Sequence, residues 1–290
     1  MRLLVIGVSS KIYSALRFIF EQNFDEIALI SSDGRCAHNG KVYESEGWQS
    51  FALSYNADVF LYMASSLLPR DPIEKAINSY QKDISSFLKY LPLLGGKKLI
   101  YFSSAGSVYG NCDQIPHDEK MALEPISMYG LSKAHIENII EYSSKILNFE
   151  YKILRLSNPF GINSQLQPFK FGLIYAAISR FKARGELNIC APMETRKDYI
   201  SIKELEHAMN LLLHTTGSGI YNLGSGESFS IERILIILES IFGYKINLSY
   251  SEPIEGDVAD VALDIGKLKS IGFQSNASFE KSIIEMIDYV

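Results

Sequence analysis

The stretch Leu3-Leu4-Val5-Ile6-Gly7-Val8-Ser9-Ser10-Lys11-Ile12-Tyr13 decides the fold. Its first four residues are apolar, two of them β-branched, and lack the polar alternation of a half-solvated strand, so both faces of this strand are covered. Gly7 permits a sharp turn, and from Ile12 to Glu21 the apolar residues fall at helical spacing. A buried strand feeding a glycine turn and an amphipathic helix is the opening unit of a parallel sheet whose crossovers lay helices on both faces.

The alternation continues along the chain. Ile27–Ile30 reads as a second strand, Val59–Ala64 as a strand before a helix over Ile73–Leu91, and Leu99–Ser103 as a strand before a helix over Met128–Lys145, with Tyr151–Leu156 a further strand. The fold class is therefore α/β, a Rossmann-type doubly wound parallel sheet. After Arg155-Leu156-Ser157-Asn158-Pro159-Phe160-Gly161 the strict alternation breaks. A helix near Leu173–Arg184 and short strands at Asp198–Ile202 and Gly219–Leu223 follow, which predicts a smaller C-terminal lobe. The expected division is a dinucleotide-binding domain over 1–160, with segments around 196–225 returning to it, and a mostly substrate-binding lobe over 161–290.

Composition bounds the function. A chain of 290 residues, 47% hydrophobic, buries a large core. Its 28 basic and 33 acidic residues give a net charge of -5 with no like-charge block, which argues against nucleic-acid or membrane-surface partners. Cys36, Cys112 and Cys190 are far apart and outside any C-x-x-C spacing, so neither a disulfide framework nor a zinc site is expected. The strand at Leu3 leaves no room for a signal peptide. Charges such as Arg17, Glu21 and Lys89 keep every apolar run short of the roughly 20 residues that span a bilayer. A cytoplasmic protein is expected.

The first turn asks for a phosphate-cradling loop, which normally carries three glycines for turn, close approach and helix packing. Only Gly7 is kept; Ser10 and Tyr13 stand at the other two glycine positions. The helix N-terminus still favours an anion there, so Gly7, Ser10, Lys11 and Ile12 are candidate cofactor-binding residues. After the second strand, Ile30-Ser31-Ser32-Asp33-Gly34-Arg35 lacks the immediate acid that would hold a ribose diol. Asp33 reaches that position if the strand ends later; otherwise Ser31, Ser32 and Arg35 offer hydroxyls and a cation to a 2′-phosphate, which leans toward NADP and leaves NAD open.

Tyr129-Gly-Leu-Ser-Lys133 is the strongest chemical signal. Spacing i to i+4 on a helix puts phenol and ammonium on one face, and a nearby cation favours the phenolate, preparing the group for proton exchange with a substrate hydroxyl. Ser103-Ser104-Ala105-Gly106-Ser107 follows a strand, at the end that lines a cofactor crevice. Ser104 is the preferred hydroxyl for the reacting oxygen, with Ser103 and Ser107 as substitutes. His117 reads as a polar loop residue, and Met63, Phe169 and Phe171 as packing or pocket wall.

Taken together these residues resemble the extended short-chain dehydrogenase/reductase family, the NAD-dependent epimerases and dehydratases of nucleotide sugars, over nearly the whole chain. Tyr62-Met63-Ala64-Ser65-Ser66 is similar to its cofactor-contacting turn, implicating Ala64 and Ser65. The Arg155-to-Gly161 segment resembles its R-x-x-N-P-x-G element, Arg196-Lys197-Asp198-Tyr199-Ile200 its R-D-Y element, and Tyr221-Asn222-Leu223-Gly224-Ser225-Gly226 its N-x-G-x-G. The resemblance implies NAD or NADP as cofactor, Ser104, Tyr129 and Lys133 as catalytic residues, and a nucleotide-sugar substrate met by Ser104, Ser107, Asn158, Arg196 and Lys197. It also implies a homodimer built on the helix around Ile84–Leu91 and the helix bearing Tyr129.

Departures narrow the reaction. Ile254 stands where the family carries an Arg that grips pyrophosphate, and an alkyl group is no substitute for a guanidinium; Arg196 or Lys197 is expected to supply the charge. Ala105-Gly106 stands where dehydratases place an Asp-Glu pair, so a dehydratase is not expected. The eroded glycine loop favours a 4-ketoreductase, whose reductant leaves each turn, over a 4-epimerase, which must retain one NAD. A non-catalytic nucleotide-binding regulator is the reading from a different class, and the intact Tyr129 and Lys133 oppose it.

Overall fold

A computed structural model describes residues 1–31, 35–38, 41–43, 48–68, 71–112, 114–253, 256–275 and 278–290. Among them an eight-stranded sheet has the order β11-β7-β6-β5-β1-β2-β3-β4. Its central strands are β1 (Arg2–Ile6), β2 (Glu26–Ile30), β5 (Val59–Tyr62), β6 (Lys98–Ser104), β7 (Glu150–Leu156) and β11 (Gly219–Leu223), all parallel to one another. The edge is a feature that the apolar pattern does not reveal: β3 (Cys36–His38) and β4 (Lys41–Tyr43) form an antiparallel hairpin against β2. Each is only three residues long, too short to carry a periodicity.

Alternate residues of the central strands face opposite ways, as the pleat requires. Leu3, Val5, Leu61, Ile100 and Phe102 join one core with Leu16 and Phe20 of α1 (Lys11–Asn23) and Leu205 and Met209 of α7 (Ile202–His214). Leu4, Ile6, Phe60, Tyr62 and Tyr101 join the other with Ala52 of α2 (Trp48–Tyr55), Phe87 of α3 (Ile73–Leu88), and Ile136 and Ile140 of α5 (Met128–Leu147). The sheet is thus covered on both faces. The strand order reverses beside β1, where β2 lies on one side and β5 on the other, and a crevice for ligands opens at the carboxyl ends of strands at such a point.

After β7 the chain forms β8 (Asn158–Phe160), α6 (Gly172–Lys182) and β9 (Glu186–Ile189), then β10 (Arg196–Ser201). β10 pairs with β8 and with β12 (Ser228–Ser230) in a separate small sheet, while β11 rejoins the main sheet beside β7. β9 pairs with β13 (Asn247–Tyr250). A third core, including Phe181 of α6, Ile234 and Leu238 of α8 (Ile231–Phe242), and Ile283 and Met286 of α10 (Phe279–Ile287), holds the lobe together. No helix among the described residues is long and apolar enough to cross a membrane.

Candidate active site

Ser104 ends β6 at the carboxyl edge of the sheet, and the chain turns at once into the short helix α4 (Ala105–Tyr109), which carries Ser107. α5 starts opposite it, where the Ser127 hydroxyl accepts from the Gly130 N–H and caps the helix. Tyr129 therefore lies in the first turn of α5 and Lys133 one turn further on. Ser104 Oγ is 3.1 Å from Ser107 Oγ, and the Ser104 hydroxyl acts on the Tyr129 phenol, favouring its ionised form. Lys133 Nζ donates to the Phe102 carbonyl at 3.0 Å and lies 5.6 Å from the Tyr129 ring centre. The structure thus brings together Ser104, Ser107, Tyr129 and Lys133. Ser103 is buried and donates its hydroxyl to Glu137, which takes it out of the contest with Ser104.

Burial pushes the Tyr129 phenol up to about 12; the Ser104 hydroxyl opposes this and Asp83 adds to it. Burial pulls the Lys133 ammonium down to about 8, with the carboxylates of Asp83 and Glu137 pulling the other way. At neutral pH the phenol holds its proton and the lysine is charged. A phenol, a cation and two hydroxyls converging at one strand end can pass a proton to or from an oxygen placed among them.

A buried polar layer supports this cluster. Arg155 donates from Nη2 to Glu137 at 2.7 Å and from Nη1 to the Tyr109 hydroxyl at 2.9 Å, and Tyr109 donates to Asn222 Oδ1 at 2.8 Å. His117 belongs here rather than to solvent: it is fully buried, stacked on Tyr109 at 5.0 Å between ring centres, with Nδ1 beside the Ala262 carbonyl.

At the other end of the crevice, Gly7 has φ +93, and a Cβ there would lie 2.5 Å from the Ala64 backbone nitrogen. The two predicted turns thus meet backbone to backbone, which requires glycine. Ser10 is the N-cap of α1 but makes no side-chain cap bond, leaving the first N–H groups of the helix to a ligand. Lys11 reaches across to the lobe, its Nζ 3.4 Å from the Lys170 carbonyl and 4.6 Å from the Phe171 ring centre. Ile12 is half-buried against the core, and Tyr13, at the third glycine position, is buried and stacked with Phe20. Ser65 gives its hydroxyl to Asp83 at 2.7 Å. Arg35 is exposed, its carbonyl accepting from Ser31. Ser32, Asp33 and Ile254 lie outside the described residues.

In the lobe, the Asn158 amide donates to the Asp198 carbonyl at 3.0 Å. Arg196 donates to the Ser228 side chain at 3.1 Å and to its carbonyl at 2.6 Å. Lys197 pairs with Asp257 at 2.9 Å and with the Val258 carbonyl. Both cations are thus engaged by the protein itself. Sequence reasoning passed over Asp83, Asp198 and Gly130. Asp198 is fully buried and accepts from the backbone N–H groups of Ser225, Gly226 and Leu263. Gly130, a glycine inside a helical run, was a readable signal; Asp83, an acid on an amphipathic helix, resembles any solvated residue.

A doubly wound parallel sheet whose strand order reverses beside β1 is the architecture of a dinucleotide-binding fold. Residues 4–224 match the model of the NAD dependent epimerase/dehydratase family, and the chain belongs to that family. It is 28% identical over 238 residues to a dTDP-4-dehydro-6-deoxyglucose reductase of Escherichia coli, covering 80% of this chain and 75% of that one. It is 26% identical over 243 residues to a UDP-glucose 4-epimerase of Yersinia enterocolitica, covering 77% and 72%. Its fold is also that of the UDP-glucose 4-epimerase of Thermotoga maritima solved with UDP-glucose, with TM-score 0.84 at 22% identity over 100% of this chain and 98% of that one.

Proposed function

We propose that the chain is an NAD(P)-dependent 4-ketoreductase of a nucleotide-diphosphate sugar, with Tyr129 as its acid/base. The observation that carries this is the convergence of Ser104, Ser107, Tyr129 and Lys133 at the end of β6, with the phenol protonated at neutral pH. The uncapped start of α1, the close Gly7–Ala64 turn and the Lys133 ammonium fit a nicotinamide dinucleotide lying across the crevice. When bound in its reduced form, that cofactor supplies hydride to the carbonyl carbon. Ser104 orients the carbonyl oxygen, with Ser107 behind it. Tyr129 gives its hydroxyl proton to that oxygen as the carbon becomes an alcohol carbon, and the resulting phenolate is balanced by Lys133 until solvent returns the proton. Arg196 and Asn158 are assigned to the sugar nucleotide. Lys197 joins them once it gives up Asp257.

The second reading, a 4-epimerase retaining one NAD, draws on a specific contact. Lys11 and Asn163 tie the lobe to α1, Asn163 donating to the Ala15 carbonyl at 3.3 Å, which would hinder cofactor exchange. The test is turnover of nucleotide hexoses and their 4-keto forms with and without added NADH or NADPH. Oxidation of added reductant in step with loss of a 4-keto sugar supports the reductase; full turnover with none added replaces it by the epimerase.

A cytoplasmic homodimer completes the proposal. Ile73, Ile77 and Leu88 of α3 and Tyr142 and Ile146 of α5 are exposed at helical spacing, an apolar face that a second copy would cover. Sedimentation as a monomer at micromolar concentration would remove this part.

A further inference from the structure

Asp83 sits in the middle of α3 with 6% of its surface exposed. A buried carboxylate is costly unless hydrogen-bonded or paired, and this one is met by the turn that follows β5. Ser65 Oγ lies at 2.7 Å from one oxygen, and Ser66 N at 2.7 Å and Ser66 Oγ at 2.6 Å from the other. That turn also packs against Gly7 through Ala64. Among the groups on which Asp83 acts are Tyr62 of β5, Tyr101 of β6, and Tyr129 and Lys133 of α5. Lys133 alone among these four is a cation. The other carboxylate acting on Lys133, Glu137, is bound by Arg155 and Ser103.

We propose that Asp83 is a positioning residue of the active site: it clamps the Ser65–Ser66 turn against α3 and brings its carboxylate to act on the Tyr129–Lys133 pair. The clamp links the part of the crevice where the dinucleotide lies to the group that moves the proton. The charge favours the Lys133 ammonium and restrains Tyr129 from losing its proton early. This rests on Tyr129 and Lys133 being the acid/base pair of the proposed reaction.

The experiment separates shape from charge and needs no turnover. Each protein is saturated with NAD, and Tyr129 ionisation is followed as the phenolate absorbance that disappears in the matching Tyr129→Phe variant. In Asp83→Asn the midpoint should fall by about half a pH unit or more, with NADH affinity held within about threefold since the amide keeps the shape. Asp83→Ala, which frees the turn, should lose about tenfold in NADH affinity. Ser66→Ala, which keeps the charge, should weaken NADH binding without moving the midpoint, and serves should the Asp83 variants not fold. An unmoved midpoint in Asp83→Asn, unchanged NADH binding in Asp83→Ala, or a shifted midpoint in Ser66→Ala overturns the proposal. A protein that titrates as expected yet turns over no nucleotide sugar refutes the activity and not the role of Asp83.

Discussion

Gly130 and the carbonyl oxygen of Ser107 approach so closely that a methyl group on Gly130 would lie 2.0 Å from that oxygen. Contact at this point seats the first turn of α5 on the end of α4, and so brings Tyr129 to Ser104. Gly130→Ala must push the two apart by an ångström or more. Because misplacement of that size costs about a hundredfold in rate, kcat/KM is expected to fall by about that factor, with cofactor affinity, measured by nicotinamide fluorescence, changed far less.

Much of this was legible beforehand because it is local. The central strands and the helices α1, α3 and α5 follow from short apolar runs and helical spacing, and Tyr129 and Lys133 share a helix face. What was not legible depends on contacts between distant segments. The sequence around Asp198 signals a motif with two cations, but not that the acid following them latches the turn at Ser225 and Gly226, or that Lys197 meets Asp257. Ser103 and Ser104 are neighbours of one type, and what occupies the less favoured Ser103 is a long-range contact: its hydroxyl is turned toward Glu137.

Tyr129→Phe keeps the ring and its packing and removes the proton that moves. The rate of hydride transfer is expected to drop by about 10² to 10⁴-fold, with NADH affinity nearly unchanged. Single-turnover measurements with bound NADH separate this from slow release, and a variant within threefold of the parent would exclude Tyr129 as the acid.

Arg155 and Glu137 form an ion pair with 3% and 1% of their side-chain surfaces exposed. Removing one partner strands a buried charge, at a cost of about 3 to 5 kcal/mol. Arg155→Met and Glu137→Leu should each show that loss in urea unfolding, and the double variant should lose much less than their sum. Additive losses would mean that the pair is not coupled.

Asp198 is held ionised by backbone donors although burial raises it to about 6. Its folded pKa lies above the unfolded value, so the cost of its charge is full above about pH 6 and is relieved as pH falls toward 4. Asp198→Ala strands several buried N–H groups and should cost about 3 kcal/mol at pH 7. The stability difference between parent and variant, measured by urea unfolding at pH 7 and pH 5, should be larger at pH 5; a smaller difference there would contradict the assigned shift.

Lys133 sets the last expectation, on activity against pH. Its ammonium is the form that balances a phenolate, and with burial drawing it down to about 8 that form is present below about pH 8 and lost above it. Tyr129, pushed up to about 12, stays protonated through the same window and contributes no limb there. Reduction with NADH should therefore hold steady through neutrality and fall as pH rises past about 8. Lys133→Arg carries a charge that does not titrate in this range: whatever rate it retains should no longer fall at pH 8. A limb that persists unmoved in Lys133→Arg would have to belong to another group.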